Sequence, residues 1–278
     1  ICFFAQKIYS LHLRIKQHSE YKTIMTKNTS KSPQKICLKN KIEVAKFSSE
    51  MIDQQLFMNK NSVIGLATGS TPQQTYRQLI KIHVSRQRSW AQVKTVNLDE
   101  YYGVHIDNTQ SYHYYMHMQL FNHIDIRKCN ILLPNGTTSD PIAEAKNYEK
   151  KITDLGGIDL WIIGIGSNGH IAFNEPGSSR KSRTRLVNLS DTTIADNSRF
   201  FDKMIDVPTQ AITVGIATIM EARKILLLAT GKNKSRAINA ALNEPIGPNC
   251  PASFLRQHPD CTFLVDEAAA ELCKSDFS

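Results

Sequence analysis

Residues 164–177 read Gly-Ile-Gly-Ser-Asn-Gly-His-Ile-Ala-Phe-Asn-Glu-Pro-Gly, directly after the apolar run 158–163. A glycine-rich turn bends sharply and lets the backbone approach a ligand closely. His170 and Glu175 sit in that turn, and an imidazole beside a carboxylate can carry protons near neutral pH. The alternative is a tight strand-to-helix turn with a solvent-exposed histidine. A second carboxylate pair, Asp99-Glu100, ends the run 93–98. A carboxylate at a strand end facing a partly dry pocket has a raised pKa and can act as a base; capping the next segment is the competing role. Adjacent carboxylates usually point in different directions, so at most one does chemistry, and Asp99 is the choice. Asp, His and Glu without Ser or Cys at a nucleophile elbow point to acid–base work rather than acyl transfer. The one His-x-x-x-His spacing, His113 and His117, comes with no carboxylate triad, so no metal is expected.

Other residues suit an anion. Thr68-Gly69-Ser70-Thr71-Pro72 leads into a helical pattern. Backbone N–H groups at a helix start, joined by Ser and Thr hydroxyls, make an anion pocket. It is not a Walker loop, since no Gly-Lys-Ser/Thr follows; a simple helix cap is the alternative. Lys234, in the turn that begins at Thr230-Gly231-Lys232, and Arg199 are cations able to complete a phosphate site, with surface charge as the other reading of each.

These residues need a scaffold, and the sequence outlines one. Apolar residues at helical spacing start near Lys39 and reach Phe57. Residues 63–67, 93–98, 158–163, 224–229 and 262–265 read as strands, and 211–215 as a further short one. Helices are expected at 73–83, 112–121, 216–221 and 235–242, and after the last strand. Strands alternating with helices imply a largely parallel sheet with helices on both faces. No repeat or linker interrupts 35–278, which is expected to be one domain. Ligands of such sheets lie beyond the carboxyl ends of the strands. Thr68 to Thr71, Asp99-Glu100, Asn168 to Glu175 and Gly231 to Lys234 all follow strands, so four turns converge on one edge. Residues around 141–155 are a candidate for movement over the ligand.

Residues 1–34 are basic and polar and read as a poorly ordered or non-native extension. Met25, just ahead of the polar stretch 27–32, is the expected natural start, with a partner-binding helical arm as the alternative. The 278 residues are 41% hydrophobic, enough for a real core, and carry a net charge of +9. That charge suits an anionic ligand. No basic helix interleaved with aromatics supports nucleic acid, and no run is long enough to span a bilayer. The six cysteines are scattered without a Cys-x-x-Cys pair, which fits free thiols in a reducing cytoplasm.

The motifs named above, with Asn97-Leu98-Asp99-Glu100-Tyr101, Ser111-Tyr112, Ser182-Arg183-Thr184-Arg185 and Asn197-Ser198-Arg199-Phe200-Phe201, occur in the order found in the glucosamine-6-phosphate deaminases. The chain resembles that family, the glucosamine/galactosamine-6-phosphate isomerases, from about Lys35 to Leu272. The resemblance implies an α/β, Rossmann-like fold shared with 6-phosphogluconolactonases. It implies conversion of D-glucosamine 6-phosphate and water to D-fructose 6-phosphate and ammonium, an amino-sugar-phosphate hydrolysis coupled to isomerisation, without metal or organic cofactor. Asp99 matches the enolisation base, His170 the ring-opening residue and Glu175 its partner. Thr68, Gly69, Ser70, Thr71, Arg199 and Lys234 match phosphate-holding positions. Asn168 stands where many members have an aspartate of the ring-opening relay; an asparagine can orient the imidazole but not ionise. Ser178 and Arg185 match the patch that binds N-acetylglucosamine 6-phosphate in hexameric members, but Val187 replaces its lysine. Little or no allosteric activation and a monomer or small homo-oligomer are therefore expected. The competing functions are a 6-phosphogluconolactonase-like hydrolase and a sugar-phosphate sensor without turnover.

Overall fold

The computed structural model describes residues 33–199, 201, 203 and 206–277. All but the last two residues of the expected extension lie outside this set, as does Phe200. The chain runs β1 (Gln34–Leu38), α1 (Lys41–Met58), β2 (Val63–Leu66), α2 (Gln73–Arg86), β3 (Lys94–Asn97), β4 (Asp99–Tyr101), α3 (Tyr112–Gln119), β5 (Ile131–Leu132), α4 (Pro141–Asp154), β6 (Leu160–Gly164), β7 (Arg185–Asn188), α5 (Asp191–Ser198), β8 (Gln210–Thr213), α6 (Ile216–Met220), β9 (Ile225–Ala229), α7 (Ser235–Asn243) and β10 (Cys261–Asp266).

Seven strands form one parallel sheet in the order β1-β10-β9-β6-β2-β3-β5. Its central strands are apolar at every position because both faces are covered, as parallel sheets require. Alternate residues serve opposite faces. Ile64, Leu66, Leu160, Ile162, Leu226 and Leu228 pack with Phe47 and Leu56 of α1, Tyr76 and Leu79 of α2 and Met116 of α3. Val63, Trp161, Ile163, Ile225 and Leu227 pack with Tyr148 and Ile152 of α4, Ile216 and Ile219 of α6 and Ile238 of α7. The expected single α/β domain with helices on both faces is what the described residues form.

The chain leaves β2 toward β3 and β5, but leaves β6 in the opposite direction toward β9 and β10. Connections therefore diverge between β2 and β6, and a crevice opens there at the carboxyl ends of the strands.

Several expectations are corrected. Gln34, assigned to the extension, is the first residue of β1 and pairs with Thr262 of β10. Asp99 does not terminate β3; it begins β4, which forms a separate antiparallel sheet with β8 and β7. The short strand expected near 211–215 belongs to that sheet too. The segment 141–155 is a scaffold helix. Asp140 caps it through Ile142 N and Ala143 N, Ala145, Tyr148 and Ile152 are buried, and the Tyr148 hydroxyl donates to Asn97 O (2.7 Å), with Leu132 O 3.1 Å away. No α-helix follows β10 among the described residues, only turns and a 3-10 helix at Lys274–Phe277.

Candidate active site

The loops after β2, β3, β6 and β9 meet at the crevice. Thr68, Gly69, Ser70, Thr71, Asp99, His170, Arg199 and Lys234 all line one cleft enclosing about 990 Å³ of space, part of it open to solvent. Asn168 and Glu175 are not on its wall. They stand behind His170 and bear on the cleft through the imidazole.

The loop 68–71 is shaped for an anion. Gly69 has φ +91°, a conformation that favours glycine. Tyrosine hydroxyls hold the loop's carbonyls, Tyr76 on Ala67 O and Tyr115 on Gly69 O at 2.5 Å. Among the described residues no backbone N–H from Thr68 to Thr71 donates to a protein acceptor. Helices α1, α3, α4 and α5 all have side-chain caps, from Asn40, Ser111, Asp140 and Ser190. The longer helices that start at the cleft, α2 and α7, have none; this leaves the N-terminal donors of α2 for a ligand, whereas at α7 the Lys234 and Ser235 N–H groups already donate to Gly231 O and Lys232 O. Burial, followed by the charge of Arg199, lowers the Lys234 pKa, while Asp196 works against that shift. An anion placed there would relieve the desolvation and repulsion together.

Asp99 and Glu100 divide as adjacent carboxylates should. Glu100 is 1% exposed and turns away from the cleft. It accepts from Tyr112 N, His113 N and Tyr101 N (2.9 Å each) and lies 2.8 Å from His113 Nδ1, so it caps α3. Asp99 is 6% exposed and receives no hydrogen bond on its carboxylate from the described residues. Burial, and then the charge of Glu100, push its pKa well above the usual carboxylate range. A desolvated carboxylate open to a cleft is a strong candidate base. Tyr112 and Phe173 stack beside it, with ring centroids 6.1 Å apart, and form an apolar wall.

The turn after β6 presents His170. The ring lies against Gly166, where a Cβ would fall 2.2 Å from the imidazole, so only glycine admits this placement. Asn168 works in both directions. Its Oδ1 accepts from His170 N (3.2 Å) and its Nδ2 donates to Glu175 Oε2 (2.8 Å). Glu175 Oε2 is 3.5 Å from His170 Nδ1, and Glu175 Oε1 accepts from Thr193 Oγ1 at 2.5 Å. Burial raises the Glu175 pKa, but His170, Thr193 and Asn168 outweigh it and bring the carboxyl down to about 2. Glu175 is thus a fixed negative charge behind the imidazole, a position that orients a proton-transfer histidine.

The sequence of the chain matches the family described as "Glucosamine-6-phosphate isomerases/6-phosphogluconolactonase" over residues 40–264. The chain belongs to this family. It is 48% identical over 239 residues to the glucosamine-6-phosphate deaminase of Clostridium botulinum (strain Langeland), covering 86% of this chain and 98% of that protein. The deaminase of Clostridium acetobutylicum is also 48% identical, over 230 residues, covering 83% and 95%. Among solved structures, a monomeric glucosamine-6-phosphate deaminase superposes with TM-score 0.85 at 41% identity, over 86% of this chain and all of that one. The 6-phosphogluconolactonase of Trypanosoma brucei superposes with TM-score 0.73 at 24% identity, over 88% and 100%, and shares the fold.

In this member of the isomerase/lactonase family three supporting residues escaped sequence reasoning. Asp266, at the end of β10, accepts from Gly231 N (2.9 Å) and Ala269 N (2.8 Å) and so fixes the loop bearing Lys234. Asn174, wholly buried, donates to Ile171 O (3.0 Å) and Val214 O (2.8 Å) and accepts from Arg185 Nη1 (2.9 Å), which ties the His170 turn to the second sheet. Thr193, on α5, donates to Glu175 Oε1. A strand end explains the first in retrospect and the Asn-Glu-Pro turn the second; Thr193 lies in a Ser/Thr-rich stretch with no distinguishing pattern.

Proposed function

We propose that the chain is an enzyme that converts D-glucosamine 6-phosphate and water to D-fructose 6-phosphate and ammonium. The observation that carries this reading is Asp99, a buried carboxylate without a donor, opening on the same cleft as His170. A lactone hydrolase has no need of such a base. Lactonase relatives share the fold at 24% identity, whereas the deaminase relatives reach 48%.

The substrate's phosphate is held by the loop 68–71, Lys234 and Arg199. His170 takes the proton of the O1 hydroxyl and returns one to the ring oxygen, opening the pyranose to an aldehyde, while Glu175 and Asn168 orient the imidazole. The new carbonyl acidifies the C2 hydrogen. Asp99 removes that proton while O1 takes one from the substrate's own ammonium group, giving an enolamine, and the carboxyl then delivers its proton to C1, which leaves an iminium at C2. Water adds at C2 and ammonium departs, leaving the ketone; the net consumption of water makes the deamination formally hydrolytic. No step calls on a metal or organic cofactor. The reaction belongs to amino-sugar catabolism, and we place it in the cytoplasm, fed by N-acetylglucosamine. The likeness to a monomeric deaminase supports a small assembly.

The test is incubation of the purified protein with glucosamine 6-phosphate and, separately, with 6-phosphogluconolactone. Equimolar ammonium and fructose 6-phosphate from the first, with no acceleration of the second, is the expected result. Lactone hydrolysis without ammonium release would replace the reading with the hydrolase. Tight sugar-phosphate binding without turnover would replace it with a sensor.

A further inference from the structure

Helix α5, between β7 and β8 along the chain, lines the cleft, and its two ends reach different parts of the site. Arg199, just past its last turn, lines the phosphate end. Thr193, about 9 Å away along the helix at 1.5 Å per residue, is 2% exposed and lies against the His170–Glu175 pair. Its hydroxyl donates to Glu175 Oε1 at 2.5 Å and stands 3.5 Å from His170 Nδ1. Ser190, the N-cap of α5, fixes the threonine from both directions: its Oγ accepts from Thr193 N (3.2 Å) and donates to Thr193 Oγ1 (3.2 Å).

A hydroxyl has one proton to give. Thr193 gives it to Glu175, so toward His170 Nδ1 it can only accept. Glu175 Oε2, 3.5 Å from the same nitrogen, also only accepts. Both neighbours therefore call for a proton on Nδ1, which leaves Nε2 as the nitrogen able to accept a proton from the substrate. Asn168 cannot supply this, because its contacts run to the His170 backbone and to Glu175.

We infer that Thr193 is a positioning residue for ring opening: through Glu175 and Nδ1 it sets the tautomer and orientation of His170. This rests on the deaminase reading above. The charged groups around the contact are His170 and Glu175 on the turn, Asp196 and Arg199 on α5, and Lys234 across the cleft.

The experiment compares wild type, Thr193→Val and Thr193→Ser in ammonium release from glucosamine 6-phosphate, from pH 3 to 9. Valine keeps the shape and removes the hydroxyl. The expected result is a fall in kcat of about tenfold or more, a fraction of what a general acid–base residue supplies, with KM changed by less than about threefold because Arg199 and the loop 68–71 are untouched. Glu175 loses a donor, so the acid limb of the valine variant moves to higher pH. Serine restores kcat and the limb. Binding of fructose 6-phosphate serves as the control for folding, and Thr193→Ala replaces valine if that control fails. A hydroxyl-free variant with wild-type kcat and pH profile, a loss confined to KM, or a serine variant as impaired as valine would overturn the assignment. A wild-type protein that releases no ammonium would instead overturn the function itself.

Discussion

Replacing Asp99 by asparagine should exchange activity for stability. The carboxylate is 6% exposed and has no donor among the described residues, and Glu100 adds a second negative charge next to it. Its pKa is raised, first by burial and then by Glu100. The folded chain therefore holds this proton more tightly than the unfolded chain. The associated stability is fully present below the unfolded carboxyl pKa and is lost as pH rises through the folded one. Once pH exceeds that folded pKa the native state carries an unpaired interior charge, and an unsatisfied buried polar group costs about 1–3 kcal/mol, more when charged. Asparagine removes the charge and keeps the shape. The variant should gain on wild type as pH rises through that folded pKa, by about 2–4 °C per kcal/mol for a domain of this size, and the difference should shrink toward pH 4. Loss of the base should lower kcat by about 10²–10⁴-fold. Thermal melts at several pH values, paired with an ammonium-release assay, read both effects. An asparagine variant that is less stable than wild type, or a difference independent of pH, would refute the description of Asp99 as a desolvated, unpaired carboxylate.

Three further outcomes are expected. Glu175 is lowered from 4.5 to about 2, so it contributes stability that is present above the unfolded pKa and lost as pH falls through about 2; at 1.36 kcal/mol per unit, wild type should lose about 3 kcal/mol more than Glu175→Gln between pH 5 and pH 2 in urea titrations. Asn168→Asp replaces a donor 2.8 Å from Glu175 with a second carboxylate; one of the pair must then take a proton more readily, so the acid limb of kcat should move to higher pH while the parent stays active, and an inert parent rescued by aspartate would contradict this. Arg185 spends its guanidinium on Asn174 and Ser178, and Val187 packs with the Tyr101–Leu189 cluster. Initial rates should accordingly be hyperbolic in substrate and unchanged by N-acetylglucosamine 6-phosphate; sigmoidal kinetics relieved by that sugar phosphate would count against the reading.

The parallel sheet was legible because β2, β6 and β9 are unbroken apolar runs, which only a strand covered on both faces demands. The polar clusters of the site were legible for the same reason, since each begins where a run stops. The second sheet was not. Asp99–Tyr101 and Arg185–Asn188 are short and polar or half-buried, and their pairing with β8 is set by tertiary contacts that leave no periodic trace. Gln34–Leu38 has one buried residue and no strand pattern in the sequence, so Gln34 reads as the end of the tail. The stretch after β10, rich in alanine and glutamate, has strong helix propensity, yet Asp266 uses its carboxylate on Gly231 N and Ala269 N, and Ala269, Ala270 and Cys273 are buried in a run of turns. Within the site, the choice of Asp99 over Glu100 followed from geometry that any adjacent pair must obey. Thr193 could not be found that way, because its contact with Glu175 comes from where α5 packs against the cleft.

The central claim is that the Asp99 carboxylate moves hydrogen between C2 and C1 of the open-chain sugar. It is tested most directly by incubating fructose 6-phosphate with ammonium and enzyme in D2O and following deuterium at C1 by NMR. Wild type should exchange C1 hydrogen with solvent, and Asp99→Asn, folded and still binding the sugar phosphate, should not. Exchange at the wild-type rate in the asparagine variant would contradict the account.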